Sequence, residues 1–355
     1  MAHMNSRRTG RPFAVLCLVL ACAVACNKAA DVAPDWFGGF KKPANFPEPV
    51  YDLNANPINQ AGFELGRKLF HDPLLSRNNT ISCASCHIQS SAFTHHGHDV
   101  SHGIDDKLGT RNAPPIMNLA WSKNFFWDGG VFHLDMLAIA PIENPVEMDE
   151  SLMNVLAKLR QHTQYPRLFE KAFGSPEIST ANFLKALSQF MLMAVSSNAK
   201  YDKVMRGEGH TAFTADEQAG YAVYQQHCAG CHAEPLFTDQ SFRDNGLGPN
   251  PINDQGRYMI TLNDTDSYKF KVPSLRNLKY TAPYMHDGRL LTLAAVIAHY
   301  RREVRDTPNL DPLLRNPDGS RGIVLSETEK TDLLAFLQTL NDEKFVTDPF
   351  LGVGN

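Results

Sequence analysis

The sequence predicts a mainly α-helical protein built from two related modules in tandem, with long loops. Three observations predict it. Apolar residues recur at helical spacing in several separate stretches, the same ordered set of short motifs occurs twice along the chain, and no alternating run is long enough for a major sheet. The chain has 355 residues, of which 43% are hydrophobic and 20% charged. That composition is neither disordered nor fibrous, and the length allows two domains with a sizeable core. A net charge of −4 leaves no basic footprint, so nucleic acid is excluded as a partner.

The elements follow in order. Arg7, Arg8 and Arg11 precede an apolar run over 12–25 that is too short to span a bilayer, so residues 1–26 are expected to be a secretory leader. Ala23-Val24-Ala25 before Cys26 resembles a bacterial lipoprotein box, with Cys22 as a second candidate for lipidation; plain cleavage would instead leave a soluble periplasmic chain. Residues 27–50, with Pro34, Pro43, Pro47, Pro49, Gly38 and Gly39, read as an irregular tether. Residues 51–205 are the first module and 206–350 the second, with a junction near Arg206-Gly207-Glu208-Gly209.

In the first module Leu152, Val155, Leu156 and Leu159 mark one helix, and Phe183, Leu184, Leu187, Phe190 and Met191 another. In the second, Thr214 with Glu217 and Ser326 with Glu329 are capping boxes that open helices. Residues 88–150 and 233–290 are rich in Gly, Pro, Asn and Asp and read as long functional loops. The repeat runs through both modules. Gln60-Ala61-Gly62-Phe63 answers to Gln218-Ala219-Gly220-Tyr221, Pro115-Ile116-Met117-Asn118-Leu119 to Pro273-Ser274-Leu275-Arg276-Asn277-Leu278, and Trp127-Asp128-Gly129 to His286-Asp287-Gly288.

Seven cysteines divide by position. Cys17, Cys22 and Cys26 lie in the leader; the other four form two C-x-x-C-H motifs, Cys83, Cys86, His87 and Cys228, Cys231, His232, leaving none for a structural disulfide. C-x-x-C-H is the attachment signature of c-type haem: the thiols add to the vinyl groups and the His is placed to ligate iron. A zinc ribbon would need both pairs in one place, yet a whole module separates them, and a dithiol redox motif would need a βαβ context that is absent. Two covalent haems are therefore expected. An iron with two strong ligands transfers electrons, whereas one with an open position binds peroxide, so the sixth ligands decide the function.

Several further stretches occur in order: Gly109-Thr110-Arg111-Asn112-Ala113-Pro114, Phe126-Trp127-Asp128-Gly129, Pro141-Ile142-Glu143-Asn144-Pro145-Val146-Glu147-Met148 and Thr281-Ala282-Pro283-Tyr284-Met285-His286-Asp287-Gly288. With the two haem motifs, they resemble the bacterial di-haem cytochrome c peroxidase and MauG family over about residues 52–345.

The resemblance implies two cytochrome-c-like domains, with peroxide bound at the haem of His87 and electrons entering at the haem of His232. It implies that Glu147 lies over the open face of the first haem and shuttles a proton between the peroxide oxygens. It places Trp127 between the haems as an electron relay. Asn112, through its side-chain oxygen, and Thr281 and Pro283, through carbonyls, would hold a calcium ion. The sixth-ligand position of the second haem, often Met in the family, falls on Tyr300, as in MauG; Met285, Met259 and His299 are rivals. A distal His that parks on the first iron would match His102 best, among His95, His96, His98 and His102. The Gln that usually precedes the catalytic Glu is here Leu137, which removes a hydrogen-bond donor from the pocket.

The favoured activity is reduction of hydrogen peroxide in the periplasm with electrons from a small cytochrome c or cupredoxin. Alternatives are a MauG-like oxidase acting on side chains of a partner protein and a non-catalytic electron-transfer cytochrome. The family's dimeric members suggest a homodimer.

Overall fold

A computed structural model describes residues 1–3 and 37–353. Arg7, Arg8, Arg11, Cys17, Cys22 and Cys26 of the expected leader, with most of the expected tether, lie outside the described residues. No helix among the described residues is long and apolar enough to cross a membrane. Residues 1–38 form one unit, of which little is described, and Gly39–Asn355 form a second, compact one.

The compact unit is mainly helical. In order it contains α1 (Gln60–His71), α2 (Cys83–Cys86), α3 (Ile139–Glu143), α4 (Leu152–Gln161), α5 (Tyr165–Phe173), α6 (Thr180–Met193), α7 (Lys200–Met205), α8 (Ala215–His227), α9 (Tyr258–Thr261), α10 (Leu293–Ala298), α11 (Glu327–Gln338) and α12 (Glu343–Thr347). The only sheet among the described residues is one antiparallel pair, β1 (Phe242–Arg243) with β2 (Phe270–Lys271). The two apolar stripes read from the first module become α4, with Val155, Leu156 and Leu159 buried, and α6, whose buried residues include Phe183, Leu187 and Phe190.

Both capping boxes form. Thr214 accepts from the Glu217 N–H at the start of α8, and Ser326 from the Glu329 N–H at the start of α11. Each box satisfies backbone donors that the first helical turn leaves without partners.

Two helix pairs carry the core. α1 packs along α6, where Phe70 meets Phe190 at 4.7 Å between ring centroids and Phe93 at 6.0 Å. α8 packs along α11 around Tyr224, Phe237 and Phe336. Gly220 sits at the second crossing; a β-carbon there would overlap the Asp332 carbonyl, so only glycine lets the backbones approach this closely.

Between α2 and α3 the chain has no α-helix, only short 3-10 turns and bridges. Here the two halves use matching local devices. An isolated bridge joins Phe125 to Val131 in one half and Tyr284 to Leu290 in the other. Inside these bridges Phe126 and Met285 have φ of 63° and 74°, and the following Gly129 and Gly288 have φ of 69° and 66°. Left-handed backbone at two non-glycine residues is uncommon and is held here by the surrounding turn.

The segment after residue 38 has no helix or strand up to Asn59, and it is docked on the compact unit to which it belongs. Phe46 is buried against Trp121 at 5.0 Å and under the Arg276 guanidinium at 4.9 Å, and Trp121 Nε1 donates to the Pro47 carbonyl at 2.8 Å.

Candidate functional site

The first attachment motif lies on α2, whose N-cap Ser82 and Ser85 form a capping box. This short helix turns Cys83 and Cys86 to one side and hands the chain to His87. His87 Nδ1 is 2.8 Å from the Phe93 carbonyl oxygen. A carbonyl only accepts, so Nδ1 carries the proton and Nε2 keeps its lone pair for a metal.

The second motif follows α8. His232 Nδ1 is 3.0 Å from the Pro273 carbonyl and 3.3 Å from that of Phe237, while its own carbonyl accepts the Tyr224 hydroxyl. Burial pushes both imidazoles below the ordinary histidine pKa and so keeps them neutral, the form that ligates.

A cavity with about 1680 Å³ of empty space opens beside the second motif. Cys228, Cys231 and His232 form part of its wall, and Leu275, Val296 and Ile297 supply apolar surface. Two neighbouring thiols, a neutral His with a free Nε2 and an apolar cavity fit a c-type haem. The same wall carries Trp127, Asn112, Thr281, Pro283, Met285 and Tyr300. Six residues singled out from the sequence are thus brought to one space.

Tyr300 sits in a π-turn spanning His299–Glu303, directly after α10. Such turns re-aim side chains and recur at functional sites. Burial pushes the Tyr300 phenol up to about 12, opposed by a hydrogen bond from Asn245. Asn245 Nδ2 lies 3.5 Å from the Tyr300 hydroxyl and 3.6 Å from the Met285 sulfur. The other two rivals are placed differently. Met259 is exposed, and His299 Nε2 is occupied by the Asn245 carbonyl at 3.1 Å.

Trp127 lines this cavity and a second cleft of about 670 Å³. Its Nε1 donates to the Asn112 carbonyl at 2.9 Å, and the Asn112 N–H donates to the His286 carbonyl at 2.8 Å. Asn112 is buried, and its Nδ2 donates to the His98 and Asp99 carbonyls at 3.2 Å each, which leaves Oδ1 as the atom available to a cation. Among the described residues no cluster of three or more His, Cys, Asp or Glu is arranged to hold a metal, so any cation here would rely on amide and carbonyl oxygens.

Arg111 braces the same region. It is bidentate on Asp254 at 2.6 and 2.8 Å and reaches Asp128 beside Trp127. His286 stacks on Phe270 at 3.7 Å, and its buried Nε2 has no hydrogen-bond partner.

Glu147 lies apart from this cavity, with the first motif. The Glu147 carbonyl accepts the Ile104 N–H at 2.7 Å, Gly103 packs on its backbone, and the Cys86 sulfur faces the His102 carbonyl at 3.3 Å. The loop over 101–104 thus touches both the carboxylate's segment and the attachment cysteine. Burial raises the Glu147 carboxyl above its ordinary value, while a hydrogen bond with Ser101 opposes the shift. Leu137 is half-buried and closes the turn after Met136.

His102 meets a stacked His95–His98 pair edge-on. The His98 ring lies 4.1 Å from that of His95 and 4.2 Å from that of His102, whereas His96 is exposed. His95 is buried, its Nδ1 has no partner, and burial with neighbouring His98 and His102 pushes it down to about 4.

Ser101 and Asn245 were not foreseen. Each is a single polar residue whose role is defined only by distant chain packed against it, so no spacing in the sequence marks it.

Residues 60–210 match the family model for di-haem cytochrome c peroxidase. The chain is 36% identical over 334 residues to the methylamine utilization protein MauG of Methylorubrum extorquens, covering 92% of this chain and 91% of that protein. It is 32% identical over 280 residues to the cytochrome c551 peroxidase of Pseudomonas aeruginosa, covering 76% of this chain and 79% of that one. Among solved structures, a MauG-like protein associated with microbial copper homeostasis superposes with a TM-score of 0.79 at 34% identity, covering 89% of this chain and 99% of the other. The chain belongs to the di-haem cytochrome c peroxidase and MauG family, whose members carry two c-type haems.

Proposed function

We propose that this protein is a periplasmic di-haem peroxidase that reduces hydrogen peroxide to water with electrons from a small cytochrome c or cupredoxin. The observation that carries the reading is Glu147: a half-buried residue whose backbone packs on the 101–104 loop that also meets the attachment cysteine Cys86, with a carboxyl that burial raises above its ordinary pKa. The reaction takes up two electrons and two protons and yields two waters. Bound haem iron supplies the redox chemistry and the coordination site for peroxide.

The chain's own residues do the rest. Glu147, ionised, takes the proton of the near peroxide oxygen and returns it to the far one, so the departing oxygen leaves as water. His87 and His232, each with Nδ1–H on a carbonyl, keep Nε2 free and would hold the two haem irons. Trp127 joins the halves, its indole fixed by the Asn112 carbonyl. Tyr300, in the wall of the same cavity as His232, would serve as the second ligand of the haem held there, and the second module would be the entry for the donor. Asn112 Oδ1 with the Thr281 and Pro283 carbonyls would hold a calcium ion, which would supply positive charge that ties this junction together. The matching turns of the two halves are read as one duplicated module.

Glu147→Gln tests the reading. It removes the base while keeping size and hydrogen bonding, and peroxide turnover is expected to fall roughly 10²–10⁴-fold with both haems still attached. Undiminished turnover contradicts it.

A MauG-like oxidase is the second reading. Tyr300 in the cavity wall and Leu137 in place of a Gln favour it, since a phenolate suits an iron that stores oxidising equivalents better than one that accepts electrons from a high-potential donor. Fast turnover with reduced cytochrome c supports the peroxidase; peroxide-dependent oxidation of side chains in a partner protein supports the oxidase.

A further inference from the structure

Two rival ligands of the second haem share one hydrogen-bond donor. Asn245 Nδ2 contacts the Tyr300 hydroxyl at 3.5 Å and the Met285 sulfur at 3.6 Å, and all three residues line the cavity of His232. The amide is itself anchored. Its Oδ1 accepts the Leu247 N–H at 3.2 Å, and the Asn245 carbonyl accepts from His299 Nε2 at 3.1 Å, tying it to the π-turn that carries Tyr300. The backbones of both rivals are also fixed. The Tyr300 carbonyl accepts the Ile323 N–H at 2.8 Å, and the Met285 carbonyl accepts the Gly288 N–H at 3.3 Å. The choice between them therefore rests with the side chains.

We infer that Asn245 is a positioning residue that decides which of Tyr300 and Met285 faces the haem carried by His232. The inference rests on the reading of Tyr300 as the sixth ligand. Both contacts are long for hydrogen bonds, so neither side chain is locked and both remain close to one donor. An N–H donor supports negative charge on an oxygen ligand much better than it supports a thioether, a weak acceptor. With the donor present, Tyr300 is favoured; without it, Met285 is.

Asn245→Asp is the discriminating variant. It keeps the shape and the oxygen that caps Leu247 but removes both N–H groups. Asn245→Leu, neutral and of similar size, controls for the added charge. Visible absorption and electron paramagnetic resonance are recorded on the ferric di-haem holoprotein for both variants, for Tyr300→Phe, for Met285→Leu and for the Asn245→Asp/Met285→Leu pair. Wild type and Met285→Leu are expected to share a low-spin signal that Tyr300→Phe loses. Both Asn245 variants are expected to lose it too and to gain the far-red charge-transfer band of a thioether-ligated ferric haem, absent from the double variant. If Tyr300→Phe changes the signal and neither Asn245 variant does, the inference is overturned while the ligand assignment stands. If Tyr300→Phe leaves the signal intact, the ligand assignment fails and the inference fails with it.

Discussion

Glu147 is where the proposed chemistry of this chain becomes specific. Its carboxyl is raised by burial, so it is protonated at a pH where an exposed glutamate is already ionised. Only the ionised form takes a proton from peroxide. Turnover is therefore expected to rise with pH through the raised Glu147 pKa, with the acid limb above the ordinary carboxylate range. Ser101→Ala removes the hydrogen bond that opposes the shift and moves that limb to higher pH, read from kcat/KM against pH. A limb that stays in place in Ser101→Ala shows that the serine does not act on the carboxylate. The proposal for Glu147 rests on a motif, Pro145-Val146-Glu147-Met148, that is local in sequence; Ser101 carries no such signal, because only folding brings its loop to residue 147.

At the scale of elements, caps and periodicity were legible and tertiary fits were not. Thr214-x-x-Glu217 and Ser326-x-x-Glu329 announce their helices because a capping box is a local pattern. Thr214→Ala is expected to cost about 1 kcal/mol in chemical denaturation, with haem content unchanged. Gly220 recurs in the repeated Gln-Ala-Gly motif, but its reason appears only where α8 meets α11. Gly220→Val forces a side chain into the Asp332 carbonyl and is expected to cost about 1–3 kcal/mol, read as a lower denaturation midpoint at constant slope. The docking of Phe46 was equally invisible, since one buried aromatic in a Pro-rich stretch has no period. The π-turn under Tyr300 leaves no sequence signal either; the tyrosine stood out through the resemblance alone.

For the whole molecule, one buried ion pair ties α7 to a residue 74 positions further along the chain. Asp202 on α7 and Arg276 are both fully buried and meet through two contacts of 2.8 Å. Arg276 also lies over the rings of Phe46 and Phe237. Removing one partner strands a buried charge, so Asp202→Ala is expected to destabilise the protein by about 3–5 kcal/mol in denaturant titration. The repeated order of motifs and the two C-x-x-C-H stretches are visible in the sequence at this scale; the pair is not, because neither residue belongs to a spaced motif. The proposed functional asymmetry rests on a few side chains: Glu147 by the first motif, Tyr300 and Met285 by the second. The central claim is that the two irons are unequal, and electron paramagnetic resonance of the ferric holoprotein tests it most directly. The account predicts one high-spin centre that changes on adding peroxide and one low-spin centre. Two low-spin centres, unaltered by peroxide both at rest and after one-electron reduction, would contradict it.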